Sequence, residues 1–278
     1  MKYKLIASDV DGTLNNDRFE ITAENIAAIQ TALKHGLKFV LCSGRSPYSL
    51  HHYEAQAGLN VQGQYGIGFN GSTVYDAHTK KIIFGDHIDK EVVVDLLSQV
   101  KRIDPTVKTA IYLQGNYMIA EAGLEKILEE YNTDKYIKID FFSQLAPEHV
   151  TGNAINMYCI DHRPKLTALR SELKKPEGCT MAFTNENLLE FLPYAMNKAQ
   201  GLTRLCQHLG IEMHETVSIG DNYNDIEMIQ ACGFGIAVAN AVPELKNAAD
   251  YVTKRTNNKD AIKEAVDLVL EMNRGAQK

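Results

Sequence analysis

Short apolar segments alternate with amphipathic helical patterns at both ends of this 278-residue chain, and this alternation restricts the fold more than any other feature. Before residue 85 the predicted order is strand, helix, strand, helix, strand. From residue 198 onwards helices and strands alternate again. Strands that are separated by helices pair in parallel, because a crossover brings the second strand back beside the first. The pattern therefore predicts an α/β fold whose parallel sheet carries helices on its faces.

The helix ends in these regions carry recognisable signals. Thr22 is a predicted N-cap, with Ile26 and Leu33 on the apolar face that follows, and Pro47 lies in the first turn of the next helix. A hairpin is predicted from 72–75 and 81–84. The remaining strands are predicted at 4–9, 37–42, 66–69, 216–219, 235–238 and 251–253, and the helices at 22–35, 46–57, 198–209, 223–231, 243–248 and 259–272.

Between these regions the predicted elements are hairpins mixed with helices, which is typical of an α+β unit built on one antiparallel sheet. We therefore predict a discontinuous core domain of residues 1–84 plus 191–278 and an inserted domain of residues 85–190. The predicted elements of the insertion are helices at 89–102, 121–131 and 163–173, and strands at 107–113, 117–120, 154–160, 179–183 and 188–192.

Composition excludes several classes of protein. The net charge is −6 and no basic block occurs, which argues against a nucleic-acid partner. No apolar run is long enough to cross a bilayer and the N-terminus does not resemble a signal peptide, so we expect a cytoplasmic protein without a membrane partner. The five cysteines are widely spaced, which argues against a disulfide framework or a zinc site. We expect a monomer or a homodimer.

The first predicted strand ends in two carboxylates, Asp9 and Asp11, followed by Gly-Thr. Two neighbouring negative charges at a strand end indicate a cation that neutralises them, such as a divalent metal. An ordinary turn is one alternative, since Asp and Gly both favour turns. A calcium loop is another. Glu20 falls at its twelfth position as required, but Leu14 stands at the sixth, where glycine is needed.

Three further segments lie at predicted strand ends or helix starts. Ser43-Gly44-Arg45 follows a strand, Lys198 begins a helix, and Gly-Asp-Asn-Tyr-Asn-Asp at 220–225 follows another strand. Alone, each also fits a turn, a surface lysine or a helix cap. Asp221, however, adds a charge that neither a turn nor a cap needs. Because ligands of open α/β sheets bind at the carboxyl ends of strands, we expect these segments to share one site.

In order and spacing, these segments resemble the four motifs of Cof-type phosphatases of the haloacid dehalogenase (HAD) superfamily, subfamily IIB with a C2-type cap. The pairs Asn70-Gly71 and Asn240-Ala241 resemble further signatures of the family. Ala239 and the segment 259–262 depart mildly from it. The resemblance implies a Rossmann-like parallel-sheet core with an inserted α+β cap domain.

The resemblance also implies a role for each matching residue. Asp9 would attack phosphorus, and Asp11 would protonate the leaving group and then activate water. Mg²⁺ would be held by Asp9, by the backbone carbonyl of Asp11 and by Asp221, with Asp225 orienting the site from behind. The residues expected to bind the phosphoryl group are Gly12, Ser43, Gly44, Arg45, Lys198 and Asn224.

The expected function is Mg²⁺-dependent hydrolysis of small phosphorylated metabolites, such as sugar phosphates, through a phospho-aspartate. A phosphomutase or phosphotransferase of the same superfamily is an alternative, as is a catalytically idle phosphate-binding regulator. A haloalkanoate dehalogenase is disfavoured because it needs neither Asp11 nor a metal. Substrate specificity is expected to lie in the insertion.

Overall fold

The computed structural model describes residues 2–115, 117–130, 137–174 and 177–275. The chain forms two compact units. The first unit consists of Met1–Gly85 and Asn197–Lys278, and the second consists of Asp86–Met196. The second unit therefore differs from the predicted insertion of 85–190, because its last strand continues beyond residue 190. Among the described residues, every helix is too short or too polar to cross a membrane.

Fourteen strands and nine helices are described. The strands are β1 (Leu5–Ser8), β2 (Lys38–Cys42), β3 (Tyr65–Gly68), β4 (Thr73–Asp76), β5 (Ile82–Gly85), β6 (Lys108–Leu113), β7 (Tyr117–Glu121), β8 (Lys138–Phe142), β9 (Ala154–Ile160), β10 (Cys179–Asn185), β11 (Leu188–Pro193), β12 (Thr216–Gly220), β13 (Phe234–Ala237) and β14 (Tyr251–Val252). The helices are α1 (Ala23–Lys34), α2 (Pro47–Ala57), α3 (Lys90–Ile103), α4 (Glu125–Glu130), α5 (Arg163–Glu172), α6 (Lys198–Leu209), α7 (Ile226–Ala231), α8 (Pro243–Ala248) and α9 (Ala261–Gly275).

The first unit is built on an eight-stranded sheet in the order β14-β13-β12-β1-β2-β3-β4-β5. The strands from β14 to β3 pair in parallel, and the hairpin strands β4 and β5 pair antiparallel at one edge. The predicted α/β class and parallel core are confirmed. β1 is central and fully buried, between β12 and β2.

The alternation of side chains along β1 serves two apolar cores. Ile6 packs into a cluster that includes residues of α1, α2 and α9, whereas Leu5 and Ala7 pack into a second cluster with residues of α6 and α7. Successive strand residues point to opposite faces, so a strand covered on both sides must be apolar at each position. This explains why β1 reads as an uninterrupted apolar run.

Two predictions for the first unit need correction. The strand predicted at 66–69 ends at Gly68, because Phe69 and Asn70 adopt left-handed backbone conformations with φ of 49° and 51°. The helix predicted at 223–231 is divided into a 3₁₀ turn, Tyr223–Asp225, and α7. The side chain of Asn222 accepts a hydrogen bond from the Tyr223 N–H, which favours this tight turn.

The second unit contains a six-stranded sheet in the order β10-β11-β9-β6-β7-β8. The predicted antiparallel arrangement is wrong for one pair, since β7 and β8 run parallel. β8 itself was not predicted. A parallel neighbour requires a crossover, and α4 lies in the connection between these two strands.

The apolar core of the second unit lies between its sheet and α3 and α5. It includes Leu96 and Val100 of α3, Leu166 of α5, and Met157 of β9. The helix predicted from residue 121 begins instead at Glu125, and Glu121 is the last residue of β7. The predicted helix end at Tyr131 lies outside the described residues.

Candidate active site

The central position of β1 brings three sequence segments to one edge of the sheet. Asp9 follows β1, Ser43 follows β2 and Asp221 follows β12, and these strands are parallel neighbours. The backbone N–H of Asp9 donates to the carbonyl of Ile219 at 2.9 Å, which extends the pairing with β12 up to the site. The carboxyl ends of adjacent parallel strands are where ligands of such sheets bind.

Lys198 reaches the same edge because two glycines allow a close approach. Gly71 has φ of +100°, and a Cβ atom on it would lie 2.0 Å from the carbonyl oxygen of Asn197. A Cβ on Gly201 would lie 2.6 Å from the Cα of Gly71. The Asn197 side chain caps α6 by accepting from the Gln200 N–H. Only glycine fits these contacts, so the start of α6 is held against the segment after β3.

The ammonium group of Lys198 forms two buried ion pairs. Its Nζ donates to Asp9 Oδ1 at 2.7 Å and to Asp225 Oδ1 at 2.6 Å. Lys198 is 1% exposed, Asp9 5% and Asp225 0%. The other oxygen of Asp225, Oδ2, accepts from the backbone N–H groups of Asp221 and Asn222 at 3.0 and 3.1 Å. Both oxygens of Asp225 are therefore used to hold Lys198 and the loop after β12.

The electrostatic balance of this cluster is strongly acidic. Burial raises the pKa of Asp9 well above its ordinary value, although the charge of Lys198 acts in the opposite direction. Burial, together with the charge of Asp225, raises the pKa of Asp221 to about 7. Burial alone would lower the pKa of Lys198, but Asp225 and Asp9 raise it above its ordinary value, so the lysine is charged. One lysine thus faces three carboxylates.

These three carboxylates fit a divalent cation. Asp9, Asp221 and Asp225 each offer an oxygen within 4.8 Å of the others. Thr13 Oγ1 donates to Asp221 Oδ1 at 2.8 Å, which orients that carboxylate. Gly12 packs directly behind it, because a Cβ there would lie 2.5 Å from Asp221 Oδ2. A set of acidic oxygens with a negative excess is what Mg²⁺ prefers in proteins.

The segment after β2 forms a polar wall beside the cluster. Ser43 is buried, and its carbonyl accepts from the Asn70 N–H at 3.0 Å. Asn224 Nδ2 donates to Asn70 Oδ1 at 3.0 Å, so Asn70 links the segments after β2 and β12. Gly44 leaves room for this amide, since a Cβ on it would lie 3.1 Å from Asn70 Nδ2. Ser43, Gly44 and Asn224 therefore share one wall.

Asp11 and Arg45 form a pair of their own. Arg45 Nε donates to Asp11 Oδ2 at 2.6 Å, and Arg45 Nη2 donates to Asp11 Oδ1 at 2.7 Å. The side chain of Asp11 is absent from the carboxylate cluster described above. That Asp11 would contribute its backbone carbonyl, rather than its carboxylate, to a metal stays a prediction.

Three residues around the site received no role from the sequence. Thr13 orients Asp221, Asn70 bridges two strand ends, and Asn240 Nδ2 donates to the Gly12 carbonyl at 2.7 Å. Asn70 and Asn240 were noticed only as family signatures. A signal was present for Asn70, because Asn before Gly favours the left-handed backbone that this residue adopts.

Comparison with known proteins gives a consistent result. Residues 6–266 match the family of haloacid dehalogenase-like hydrolases. YxeH of Bacillus subtilis, which is named as a candidate phosphatase, is 31% identical over 275 residues, covering 96% of this chain and 99% of the relative. The 5-amino-6-(5-phospho-D-ribitylamino)uracil phosphatase YwtE of the same organism is 29% identical over 289 residues, covering 96% of this chain and 98% of the relative.

A solved structure supports the same assignment. The haloacid dehalogenase-like hydrolase of Bacteroides thetaiotaomicron superposes with a TM-score of 0.82 at 29% identity, covering 96% of this chain and 100% of that chain. The sequence motifs, the sheet with its inserted second unit and these similarities all agree. The chain belongs to the haloacid dehalogenase-like hydrolase family, among its Cof-type phosphatases.

Proposed function

We propose that this enzyme hydrolyses small phosphorylated metabolites, such as sugar phosphates, in a Mg²⁺-dependent reaction that passes through a phospho-aspartate. The observation that carries the proposal is the buried contact of Asp9 with Lys198 beside Asp221 and Asp225. A carboxylate at the end of a central strand, faced by a fixed cation, is placed to attack a bound phosphoryl group.

In the first step, an oxygen of Asp9 forms a bond to phosphorus, and the bond from phosphorus to the ester oxygen breaks. Asp11 gives its proton to the departing alkoxide, so that the alcohol leaves neutral. Lys198 and the polar wall of Ser43, Gly44 and Asn224 hold the phosphoryl oxygens, whose negative charge must be offset as the anionic nucleophile approaches.

In the second step, Asp11 accepts a proton from a water molecule, whose oxygen bonds to phosphorus while the bond to Asp9 breaks. This releases inorganic phosphate, frees the Asp9 carboxylate and leaves Asp11 protonated, as it was at the start of the cycle. Asp9, Asp221 and the Asp11 carbonyl would hold Mg²⁺, with Asp225 fixing the loop behind them. The ion would offset charge on the phosphoryl oxygens when bound.

The proposed substrate class rests on the family resemblance and on the relatives. YwtE is named for a phosphorylated ribitylamino compound, which is a small polyhydroxylated phosphate monoester. The acidic net charge of this chain also favours a small substrate over a nucleic acid.

The test is release of inorganic phosphate from a panel of phosphorylated metabolites, with Mg²⁺ and with EDTA. We expect turnover that EDTA abolishes and Mg²⁺ restores. Asp9→Asn should reduce turnover by about 10⁴-fold or more, because it removes the nucleophile. The matched control is Asp17→Asn, which makes the same change at an exposed position eight residues along the chain and should retain full activity.

The intermediate has its own readout. Acid quenching during turnover of a ³²P-labelled substrate should trap a hydroxylamine-sensitive label on Asp9 of the wild type and none on Asp9→Asn. Label that exchanges between substrates without release of phosphate would favour a phosphomutase or phosphotransferase instead. Phosphate binding without turnover on any substrate would favour a regulator. Turnover that survives exhaustive chelation would contradict the Mg²⁺ assignment.

A further inference from the structure

The contact between Arg45 and Asp11 engages both oxygens of the carboxylate. Arg45 uses Nε and Nη2 to reach both oxygens of Asp11, at 2.6 and 2.7 Å. Two parallel hydrogen bonds from a planar guanidinium fix the plane of a carboxylate as well as its position. A lysine, which offers a point charge, would fix only the distance.

Of the two partners, Arg45 is the anchored one. Its side chain is 6% exposed, whereas the side chain of Asp11 is 38% exposed. Nη1 donates to Ser49 Oγ at 3.2 Å, and the guanidinium lies 5.3 Å from the centre of the Tyr53 ring. Ser49 and Tyr53 follow Arg45 by four and eight residues on α2, so one face of that helix supports the guanidinium.

The backbone of Arg45 is held as well. Its N–H donates to Ser43 Oγ at 3.2 Å, and its carbonyl accepts from the Phe69 N–H at 2.9 Å. Three guanidinium nitrogens thus point to Asp11 and Ser49, while Lys198 points to Asp9. Of the two aspartates of the first motif, Lys198 contacts Asp9 and Arg45 contacts Asp11.

From this arrangement we propose that Arg45 is a positioning residue that orients the Asp11 carboxyl group for its proton transfer to the leaving group, rather than a ligand of the transferred phosphoryl group. The inference rests on the proposed function, in which Asp11 acts as the acid. It differs from the role that the family resemblance suggested for Arg45. The buried guanidinium sets the direction of a half-exposed side chain.

The two roles make different demands on the substrate. An alkoxide must be protonated as it leaves, so an alkyl phosphate depends on a well-oriented Asp11. The 4-nitrophenolate ion is stable in water and leaves without a proton. A residue that positions Asp11 should therefore matter for the alkyl ester, whereas a residue that binds the phosphoryl group should matter equally for both esters.

The experiment compares these two substrates in Arg45→Met, whose unbranched side chain retains part of the packing on Tyr53. We expect kcat/KM to fall about 10²-fold for the best alkyl phosphate and less than about tenfold for 4-nitrophenyl phosphate. The inhibition constant of inorganic phosphate should change less than about threefold. In Asp11→Asn, adding Arg45→Met should cause no further selective loss, because both changes remove the same step.

Two further variants keep the test decisive if Arg45→Met does not fold. Arg45→Lys keeps the buried charge but loses the bidentate contact with Asp11. It should show the same selective loss on the alkyl phosphate. Ser49→Ala removes only the support of Nη1 and should show the same selective loss on the alkyl ester, by a smaller factor. An equal loss on both substrates with weakened phosphate inhibition would overturn the proposal in favour of phosphoryl binding.

Failure of the inference is distinguishable from failure of the proposed function. If Asp11→Asn is selective for the alkyl ester but the Arg45 variants are not, only the role of Arg45 is wrong. If the wild type hydrolyses neither ester, or if Asp11→Asn shows no selectivity, the proposed chemistry of Asp11 is wrong and the inference falls with it.

Discussion

Each of the two units pairs a lysine with a buried carboxylate, but the balance of charge differs between them. In the second unit Lys101 faces Glu121 alone among the ion pairs described, with Nζ 2.6 Å from Oε1. Glu121 also accepts from the backbone N–H groups of Thr109 and Leu145, at 3.1 and 2.8 Å. In the first unit Lys198 faces a cluster of three carboxylates.

This difference separates a structural ion pair from a binding site. The pair of Lys101 and Glu121 is neutral and joins α3, β6 and β7, so no ligand is needed to balance its charge. With its three carboxylates ionised, the cluster around Lys198 has two more negative charges than positive ones, and burial makes that excess costly. A protein retains such an imbalance where a ligand supplies the missing charge.

The largest expected effect comes from removing the lysine of the unbalanced cluster. Lys198→Met leaves Asp9 and Asp225 buried without their cation, which should cost about 3–5 kcal/mol of unfolding free energy. Hydrogen exchange read by mass spectrometry, in EDTA, should place the loss in peptides of the first unit. Added Mg²⁺ should restore part of it, since a ligand that binds only the folded state stabilises that state. Unchanged protection in EDTA would contradict the charge argument.

One buried carboxylate of the first unit belongs neither to the Lys101–Glu121 pair nor to the cluster around Lys198. It provides a sharper comparison. Glu54 of α2 is 1% exposed. Its Oε1 accepts from the Tyr75 hydroxyl at 2.6 Å, and its Oε2 has no hydrogen-bond partner among the described residues. Burial raises the pKa of Glu54 to about 7, although the hydrogen bond from Tyr75 acts in the opposite direction. Glu54 is therefore protonated in the folded protein in mildly acidic solution.

The sign of the pH effect follows from this raised pKa. The contribution of Glu54 to stability is fully present below its ordinary pKa of 4.5 and is lost as the pH rises through about 7. Glu54→Gln removes the charge, so the variant should be more stable than the wild type at pH 8 by up to ~3 kcal/mol. Urea unfolding between pH 4 and pH 8 measures the difference. In the control, Glu215→Gln, the half-buried carboxylate has a lowered pKa. The loss of stability that the wild type shows up to pH 7 should therefore persist in this variant.

The candidate site could be predicted because its residues occur in short contiguous motifs. Asp9 and Asp11 are separated by one residue, and Asp221 and Asp225 by three. The strand ends that carry them follow apolar runs that any parallel sheet requires. The parallel order of the strands then brings the motifs together, and the structure places Asp9, Lys198, Asp221 and Asp225 in contact as that order predicts.

The features that the sequence did not reveal depend on contacts between distant single residues. Glu121 resembles an acidic residue in the first turn of a helix, but it pairs with Lys101, twenty positions earlier. β8 is an edge strand with exposed and half-buried positions, so its sequence has little apolar periodicity. The direction of Arg45 towards Asp11 depends on Ser49 and Tyr53 of α2, which no motif connects to the first strand.

A smaller effect is expected when the balanced pair of the second unit is broken. Lys101→Met leaves Glu121 with two backbone donors, so the loss should be about 1–3 kcal/mol. Hydrogen exchange should localise this loss to peptides of α3, β6 and β7. Mg²⁺ should not reverse it, in contrast to Lys198→Met. If Mg²⁺ restored the protection of Lys101→Met from hydrogen exchange, the Lys101–Glu121 pair and the Lys198 cluster would not differ in the way that their charges imply.

The smallest expected change in stability concerns glycine at two left-handed positions. Gly12 has φ of +74° and Gly36 has φ of +81°. Alanine at either position should cost about 1–2 kcal/mol, because a side chain disfavours this conformation. The two positions differ in their surroundings. A Cβ on Gly12 would lie 2.5 Å from Asp221 Oδ2, whereas a Cβ on Gly36 would meet no atom of the described part of the chain within 4 Å.

The pair of variants therefore separates the effect of backbone strain from an effect on the Asp221 carboxylate. Gly12→Ala must displace the Asp221 carboxylate, so the Mg²⁺ concentration for half-maximal thermal stabilisation should rise about tenfold or more. Gly36→Ala should melt lower than the wild type and keep the same Mg²⁺ dependence. A thermal-shift titration with Mg²⁺ measures both quantities in one series. If the two variants respond alike to Mg²⁺, Asp221 does not hold the ion, and the acidic excess of the first unit would require another explanation.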